Sequence, residues 1–372
     1  MFIKRRKNNG SIFTLLIKGA MIFALLTGVN TLSLFGDEPQ HIRQSLRALG
    51  MGNAFTAVAN DENALFYNPA GLQLLQQHIV EIISLNATMN QNMIDMSSES
   101  GNDANAFLGK LIGEKVYTEL NLGLLSISGP GWGYSIFGSY ALDATVRNPT
   151  VPYLDLKTYV QYGAVGGLAF DFLDERLDIG VAVKVISRNG IGKEVHIVDF
   201  LDDDFGDEIQ DEFDTKSNFA SDVGALYHFD QLYNFAPRLS LVIRNIGGLD
   251  FGSSGEIPMT IDMGVATESE LLGFDFILAA DVVDVTYQAT QYKSSKRNLK
   301  IGAEMGMFKR TNGHHALSFR IGRNGTYSTF GFSFNPPLLP VKIDYASWSE
   351  EVGAVGGEKE DKRQAIQLAI NF

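Results

Sequence analysis

The sequence contains no cysteine among its 372 residues. Disulfide frameworks, thiolate zinc sites, cysteine nucleophiles and an N-terminal lipidated cysteine are therefore excluded. Beyond roughly the first 35 residues, the chain also lacks any run of about 20 apolar residues, the length that a helix needs to span a bilayer. An ordinary helical membrane protein is therefore excluded as well.

Clustered positive charge and catalytic motifs are also missing. The formal net charge is −13, whereas nucleic-acid binding needs grouped Lys and Arg side chains. The chain has no Gly-x-Ser-x-Gly elbow, P-loop or dinucleotide-binding fingerprint, so we expect neither an enzyme nor a cofactor. The six histidines are scattered, and the adjacent His314 and His315 would point to opposite faces of a strand, so no metal site is predicted.

Glycine and aromatic residues are abundant, with 38 glycines and 11% Phe, Trp and Tyr. Together with many short alternating segments, this composition is typical of an all-β architecture. About fourteen strands are predicted, each near the roughly 9–11 residues that a tilted membrane strand needs. Their ranges are 78–89, 117–128, 132–146, 153–172, 176–189, 217–229, 238–247, 258–268, 274–287, 297–308, 314–323, 326–334, 340–350 and 363–372.

Alternation of apolar and polar residues is clearest in 176–189, 297–308 and 363–372. A soluble β-sandwich also alternates, but here the predicted inner faces carry charges of both signs. Burying each charge unpaired would cost several kcal/mol, whereas a wet or networked barrel lumen holds such charges. The charged residues predicted on the inner faces are Asp178, Asp262, Asp275, Asp281, Glu304, Asp344, Lys184, Arg244, Lys300, Arg320, Lys342 and Arg363.

The predicted connections alternate between long and short, which is the layout of an outer-membrane barrel with its long loops outside. The alternation is imperfect, because the outer turn 323–325 is tight and the inner connection 230–237 is long. The sequence therefore predicts a closed antiparallel transmembrane β-barrel over residues 77–372. The long connections are 90–116, 190–216, 248–257, 288–296 and 351–362, and the short ones are 129–131, 173–175, 269–273, 309–313 and 335–339.

Residues 1–36 have the features of a secretory signal peptide. Residues 4–7 are basic, two apolar runs follow, and small or polar residues lead to a cleavage point near Gly36. The alternative is an uncleaved membrane anchor, which Lys18 within the apolar run disfavours because a charge in the bilayer is costly.

The last predicted strand ends on Phe372. A terminal aromatic residue on such a strand is the signature that the outer-membrane barrel-insertion machinery recognises. We therefore expect Phe372 to act as an assembly signal. The expected location is the outer membrane of a double-membraned bacterium, with outer-membrane lipid and the insertion machinery as partners.

Residues 41–76 differ from the strands. Small residues and glycines dominate the run from Arg43 to Ala59, which suits close packing in a confined space. The run that starts at Asp61 resembles a short helix with acidic residues at its N-terminal end. It leads to Asn68-Pro69-Ala70-Gly71, a turn signal in which Pro fixes φ and Gly is free to adopt positive φ.

This block resembles the N-terminal segment of the outer-membrane long-chain fatty-acid transporter family. There an Arg-Ala-Leu-Gly-Met-Gly-like run precedes an acidic-Ala-Leu-aromatic-Tyr-Asn-Pro-Ala-Gly run. The resemblance implies that residues 37–76 form a small hatch in the lumen of a fourteen-stranded barrel. It also implies that Asn68, Pro69 and Ala70 occupy the hatch-motif positions, with Gly71 beside them. The alternative is a soluble helix-turn cap on a β domain.

The resemblance further implies uptake of long-chain fatty acids or similar hydrophobic molecules, which leave the barrel after the hatch shifts. A pocket for them needs apolar walls and one polar group for the head group. The same basic residues are also expected to pair with lumen acids, and this second interpretation is favoured. The candidates are Phe55, Leu65 and Phe66 for the walls, and Arg244, Lys300 and Arg320 for a carboxylate.

Two other functions stay open. Relatives of the family act as barrel shuttles or anchors that interact with secretion or surface-protein machinery, and their N-terminal block is similar. A general porin is the third possibility, although a hatch would obstruct its flow. The acidic residues of 199–214 are a candidate divalent-cation site, but their spacing misses the calcium-loop pattern and a solvated acidic loop is favoured.

Overall fold

The structure, a computed structural model, describes residues 41–98, 113–147, 153–196, 212–289, 295–309, 315–353 and 359–372. The predicted signal peptide lies outside these residues, as does most of the acidic loop 199–214.

Fourteen of the described strands form one closed antiparallel barrel, in which neighbours in sequence pair and the first strand pairs with the last. The predicted all-β barrel with a small N-terminal hatch in its lumen is confirmed. The strands are β1 (Ile79–Asn90), β2 (Lys115–Gly129), β3 (Trp132–Arg147), β4 (Tyr153–Phe172), β5 (Leu177–His196), β6 (Asp214–His228), β7 (Ala236–Ile246), β8 (Thr260–Leu271), β9 (Phe274–Val282), β10 (Leu299–Lys309), β11 (His315–Asn324), β12 (Tyr327–Phe334), β13 (Val341–Glu351) and β14 (Glu360–Asn371). Two further strands of two residues each, Leu249–Asp250 and Glu256–Ile257, pair with each other within the connection between β7 and β8.

Every predicted strand overlaps an observed one, but the prediction of a loop over 190–216 is wrong at both ends. β5 continues to His196 and β6 begins at Asp214. Glycine at 190 suggests a break in the strand, yet its role is close packing. A Cβ on Gly190 would lie only 2.5 Å from the carbonyl oxygen of Thr158 on β4.

The prediction of a strand over 274–287 is wrong at its far end, because β9 ends at Val282. The carboxylate of Asp284 accepts hydrogen bonds from the backbone N–H groups of Gln288 and Ala289. A local side-chain acceptor of this kind competes with the strand ladder and turns the chain.

The outward face of the wall is apolar, and the lumen face is polar or small. On β4, Val160, Tyr162 and Phe170 are exposed on the outward face, whereas Gln161 and Ala169 are buried on the lumen face. Closure leaves no open sheet edge, so the strand ladder satisfies its own backbone polar groups. This arrangement suits a barrel surrounded by lipid. None of the described helices is long and apolar enough to cross a bilayer.

The two ends of the barrel differ in their connections. At one end, where β1 begins and β14 ends, the turns include 173–176, 272–273 and 335–340. At the other end, 247–259 joins β7 to β8 and 283–298 joins β9 to β10. We call these the short-turn end and the long-loop end. The predicted exception is present, because β11 and β12 meet at the long-loop end through a tight turn at Gly325.

Residues 41–76, called the hatch from here on, fill the middle of the lumen. They contain helices α1 (Leu46–Gly50) and α2 (Ala64–Tyr67) and the 3₁₀ helix Pro69–Leu74. Most hatch residues are buried and share one hydrophobic cluster with lumen-facing residues of the wall. Outside the hatch, α3 (Gln91–Ser98) follows β1 and α4 (Ser295–Asn298) precedes β10.

Candidate functional site

The hatch backbone lies directly against glycines of the barrel wall. A Cβ on Gly331 of β12 would lie 2.9 Å from the Cα of Gly50, and one on Gly302 of β10 would lie 2.7 Å from the Cβ of Met51. Any larger side chain at these positions would push the hatch away or strain the wall. The hatch is therefore fitted to its barrel. Wall glycines at Gly180, Gly224, Gly264 and Gly322 also face hatch atoms.

The hatch-motif residues form an internal turn. The Oδ1 atom of Asn68 accepts a hydrogen bond from the backbone N–H of Ala70 (3.0 Å), and its Nδ2 donates to the carbonyl oxygen of Thr56 (2.8 Å). Pro69 opens the 3₁₀ helix, where a missing N–H costs little. Gly71 stands where the neighbouring hatch backbone leaves no space for a Cβ. The described contacts of this motif are structural.

Asp281 of β9 fixes the middle of the hatch. Its carboxylate accepts hydrogen bonds from the backbone N–H groups of Phe55 (2.7 Å) and Thr56 (2.8 Å). The hydroxyl of Thr56 lies 2.8 Å from the hydroxyl of Ser240 on β7. These contacts satisfy backbone groups that would otherwise be buried without partners.

On the short-turn side of the hatch, a chain of buried ion pairs joins the hatch to the wall. Arg47 donates two hydrogen bonds to Glu304, at 2.8 and 2.7 Å, and one to Asp61 at 3.1 Å. Lys342 pairs with Glu62 at 2.7 Å. We call this network the hatch lock, and it borders an open cavity of about 450 Å³. Its members are Arg47, Asp61 and Glu62 of the hatch and Glu304, Arg320, Lys342 and Asp344 of the wall.

The charge states of two hatch residues are fixed by their surroundings. Burial alone would lower the pKa of Arg47, but the adjacent Glu304 and Asp61 raise it above its ordinary value. Burial raises the pKa of Tyr67, whose hydroxyl accepts a hydrogen bond from the backbone N–H of Ser45. Arg47 therefore stays charged and Tyr67 stays neutral at ordinary pH.

On the long-loop side, the hatch forms the floor of a smaller cavity of about 100 Å³. Phe66 and Ile42 of the hatch form an apolar part of its lining with Ile257, and basic groups line another part. A pocket with apolar walls and a few polar groups is typical of small-molecule sites. Its basic side chains are Arg43, Lys184, Arg244, Arg297 and Lys300, and its acidic side chains are Asp262, Asp284 and Glu350.

Strand alternation turns Arg244 of β7 toward this cavity, and a β-bulge turns the next residue, Asn245, to the same side. The pairing of β6 with β7 shifts register here, and Asn245 has a φ of 54°, as bulges re-aim side chains. Arg244 pairs with Asp262 of β8. Lys184 of β5 pairs with Asp222 at 2.7 Å and donates to Asn245 at 2.8 Å. These cations are neutralised by wall acids.

Lys300 differs from these cations, because it has no carboxylate within ion-pairing distance in the part of the chain that the structure describes. Its Nζ donates to the Oδ1 of Asn324, and the residue is only 8% exposed. Arg297, beside it on the cavity lining, donates to the backbone carbonyl of Glu351 and also has no described ion pair. These are the cavity cations best placed to receive an anionic ligand group.

The predicted ligand residues therefore fall into three places. Phe66, Arg244 and Lys300 line the long-loop cavity. Phe55 and Leu65 are fully buried in the hydrophobic cluster between hatch and wall and do not line that cavity. Arg320 lies across the hatch, in the lock, 2.5 Å from Glu304.

Arg188, which the sequence analysis does not identify, holds an inward-folded loop above the cavity. Its guanidinium lies 4.0 Å from the ring centre of Tyr159 and 4.2 Å from that of Phe251, and it donates to the carbonyl oxygen of Ser254 at 3.1 Å. The same loop supplies Ile257 to the cavity. Strand alternation predicts a lumen-facing Arg188, but nothing local to it predicts its partners on a distant loop.

A metal centre is not evident in the described ranges. They contain no group of three or more His, Asp or Glu side chains arranged to hold a metal ion. His315 instead pairs with Asp275 at 2.7 Å, and His314 lies outside the described residues.

No protein-family model matches the sequence, and no curated protein matches it. Among solved structures, the toluene transporter TodX of Pseudomonas putida is 11% identical, with a TM-score of 0.50 over 91% of this chain and 99% of that chain. The TodX ΔS2S3 mutant, a monoaromatic hydrocarbon channel, is 9% identical, with a TM-score of 0.52 over 88% of this chain and 98% of that chain. The chain shares the TodX fold. At this identity the likeness concerns the fold alone.

Proposed function

We propose that the protein is an outer-membrane transporter for hydrophobic small molecules and a relative of the fatty-acid transporters that its hatch block resembles. The cavity above the hatch carries this proposal, because its lining combines the apolar side chains of Phe66 and Ile42 with Lys300 and Arg297, which have no ion pair among the described residues. The apolar outward face supports a membrane location, and the TodX fold supports a hydrophobic cargo. The short-turn end then faces the periplasm, and cargo enters through the long-loop end.

We further propose that the cargo carries a carboxylate or a similar anionic head group. Lys300 would bind that group while Phe66 contacts the apolar part. The cavity of about 100 Å³ is smaller than the roughly 150 Å³ of an engineered site that binds benzene. A long acyl chain therefore requires Phe66 or the inward-folded loop to move, and short or aromatic carboxylates require less rearrangement.

The experiment measures uptake of radiolabelled carboxylates of increasing chain length by cells that lack other uptake systems. Phe66→Trp fills the cavity and is expected to reduce uptake strongly. Leu168→Trp, on the outward face, is the matched control and should leave uptake unchanged. Unchanged uptake in Phe66→Trp, together with no lipid co-purifying with the protein, would exclude this cavity as the route.

A barrel anchor for secretion or surface-protein machinery is the second candidate. The close fit of the hatch against wall glycines favours it, because a scaffold, unlike a channel, does not require the hatch to move. In that case a protein partner co-purifies without lipid, and Phe66→Trp leaves its capture unchanged. A porin is the least supported, since the hatch occupies the lumen. Large conductance in planar bilayers would reverse that order.

A further inference from the structure

Large apolar side chains form the tips of the turns at the short-turn end. Tyr233 is 88% exposed, Leu272 is 89% exposed and Leu338 is 95% exposed. Scattered apolar residues are normal on a protein surface, but large ones gathered at one end of a molecule mark a contact surface. We therefore expect either lipid or a partner molecule to cover them.

The backbone at these tips has an unusual conformation for large apolar residues. Bulky residues rarely adopt positive φ, and a two-residue hairpin such as Leu272-Gly273 usually has Asn-Gly at these positions. At the long-loop end, the tight turn between β11 and β12 uses Gly325 at its positive-φ position. A turn in water would favour Asn at position 272 for both conformation and solvation. Four large apolar residues at or beside the short turns have positive φ: Leu173 (55°), Tyr233 (55°), Leu272 (56°) and Phe308 (57°). The charged residues Asp174 (54°) and Glu175 (65°) of the β4–β5 turn also have positive φ.

The tips are continuous with the outward face of the wall. On β4, Leu168 and Phe170 are exposed on that face, Phe172 follows them, and Leu173 continues the series into the turn. The same lipid-facing surface therefore extends from the strands onto the turn.

The opposite end of the wall is different. Leu154 and Leu156 lie on the same face of β4 as Val160, yet they are buried, in a cluster with Met93 and Met96 of α3. The chain thus covers its own apolar outward surface at the long-loop end and leaves it bare at the short-turn end.

We propose that the apolar side chains at the tips of the short-turn end insert into the adjoining leaflet, while the charged side chains of these turns, such as Arg176 and Asp230, lie at the level of its polar headgroups. The apolar tips occur in the turns β6–β7, β8–β9 and β12–β13. A planar bilayer reaches turns all around the barrel, whereas a protein partner would cover one sector. The proposal concerns how the barrel sits in the membrane and does not depend on the cargo.

Spin labels on single cysteines test the proposal in lipid vesicles, and the absence of native cysteine makes each label unique. Labels at Tyr233→Cys, Leu272→Cys and Leu338→Cys should collide more often with oxygen, which concentrates in lipid, than with a water-soluble nickel complex. Gln231→Cys is the matched control, because Gln231 lies in the same turn as Tyr233 but lines the open cavity of the lumen. Its label should favour the nickel complex.

Preference for nickel at all three tips would overturn the proposal. The proposal would also be overturned if the labels were accessible to nickel in lipid vesicles but protected from it in native membranes. That result would indicate a protein partner instead.

The variant Leu272→Asn gives a second test through the sign of its effect. In water, Asn suits this turn better than Leu and would stabilise the barrel. In lipid, loss of the leucine side chain is expected to lower the folded-to-unfolded ratio by about tenfold, measured by urea unfolding in vesicles. An unchanged or raised unfolding midpoint would count against immersion.

Discussion

Lysine and arginine side chains have different roles on the two sides of the hatch. On the short-turn side, Arg47, Arg320 and Lys342 all pair with carboxylates of the lock. On the long-loop side, Lys300 and Arg297 have no carboxylate partner among the described residues. Buried charges that are paired hold two elements in register, whereas a buried cation without an anion is available to a ligand.

Whether a buried cation is ion-paired therefore separates the side chains that hold the hatch in place from those that can bind a ligand. The lock and the glycine contacts fix the hatch on its short-turn side and around its edge. The cavity on its long-loop side is lined by Phe66 and by the two cations, Lys300 and Arg297, that have no ion pair in the described ranges. The same lysine or arginine is structural or functional according to what the neighbouring strand offers it. Variants of the hatch, the wall and the cavity test that separation.

A disulfide between the hatch and the wall tests whether the hatch must move during uptake. The hydroxyls of Thr56 and Ser240 are 2.8 Å apart, so Thr56→Cys/Ser240→Cys is expected to form a disulfide in this cysteine-free chain. Because cargo is expected to pass once the hatch shifts, uptake should be abolished under oxidising conditions and restored by a reductant. The measurement is uptake before and after reduction.

The control disulfide joins two wall strands without touching the hatch. The hydroxyls of Ser187 and Ser217 are 2.7 Å apart on β5 and β6, and Ser187→Cys/Ser217→Cys should leave uptake unchanged. Normal uptake with the hatch disulfide intact would show that the hatch is a fixed partition and that cargo leaves by another route.

Breaking the hatch lock is the next largest change. Arg47→Ala leaves Glu304 and Asp61 buried without their hatch partner, which typically costs about 3–5 kcal/mol. We expect a lower urea midpoint and intermittent large conductance in planar bilayers, because the hatch is released. Arg176→Ala removes an exposed pair with Asp230 and should cost at most about 1 kcal/mol. Equal effects of the two variants would contradict the lock.

The barrel could be predicted from the sequence because strand alternation is a local property. Each strand shows its apolar and polar faces within its own residues, as the exposed Val181 and buried Lys184 of β5 confirm. The ends of β5 and β9 could not be predicted, since Gly190 fits a close approach to β4 and Asp284 turns the chain through its side chain. Both effects depend on contacts that alternation does not record.

The site was less predictable, because partner choice depends on register. Arg244, Lys300 and Arg320 have the same sequence signature, a base on a lumen face. The regular pairing of β7 with β8 brings Arg244 to Asp262, and the pairing of β10 with β11 places Arg320 opposite Glu304. A shift of one residue would turn these side chains to the other face and separate the pairs. The sequence indicates a charged lumen but not which cation lacks an anion.

The glycine contacts should have a smaller effect than the lock. Gly302→Ala would place a Cβ 2.7 Å from that of Met51, and such overpacking typically costs about 1–3 kcal/mol. Gly166→Ala is the matched control, because its nearest neighbour would lie 3.9 Å away. Urea unfolding of the two variants should therefore differ in midpoint. Equal midpoints would mean that the hatch yields at this contact.

Lys300→Met should change stability least. It also tests most directly whether the cations on the two sides of the hatch differ in role. A charge-assisted hydrogen bond contributes about 1.5–3 kcal/mol, so carboxylate binding should weaken by roughly tenfold or more, with little change in the unfolding midpoint. Arg244→Met, on the same cavity, should instead lower the midpoint, because Asp262 is fully buried and loses its partner. Octanoate titration and urea unfolding of both variants separate the outcomes. If Lys300→Met lowers stability as Arg244→Met does and binds octanoate as the unmodified protein does, Lys300 is a structural cation and the two sides of the hatch do not differ in kind.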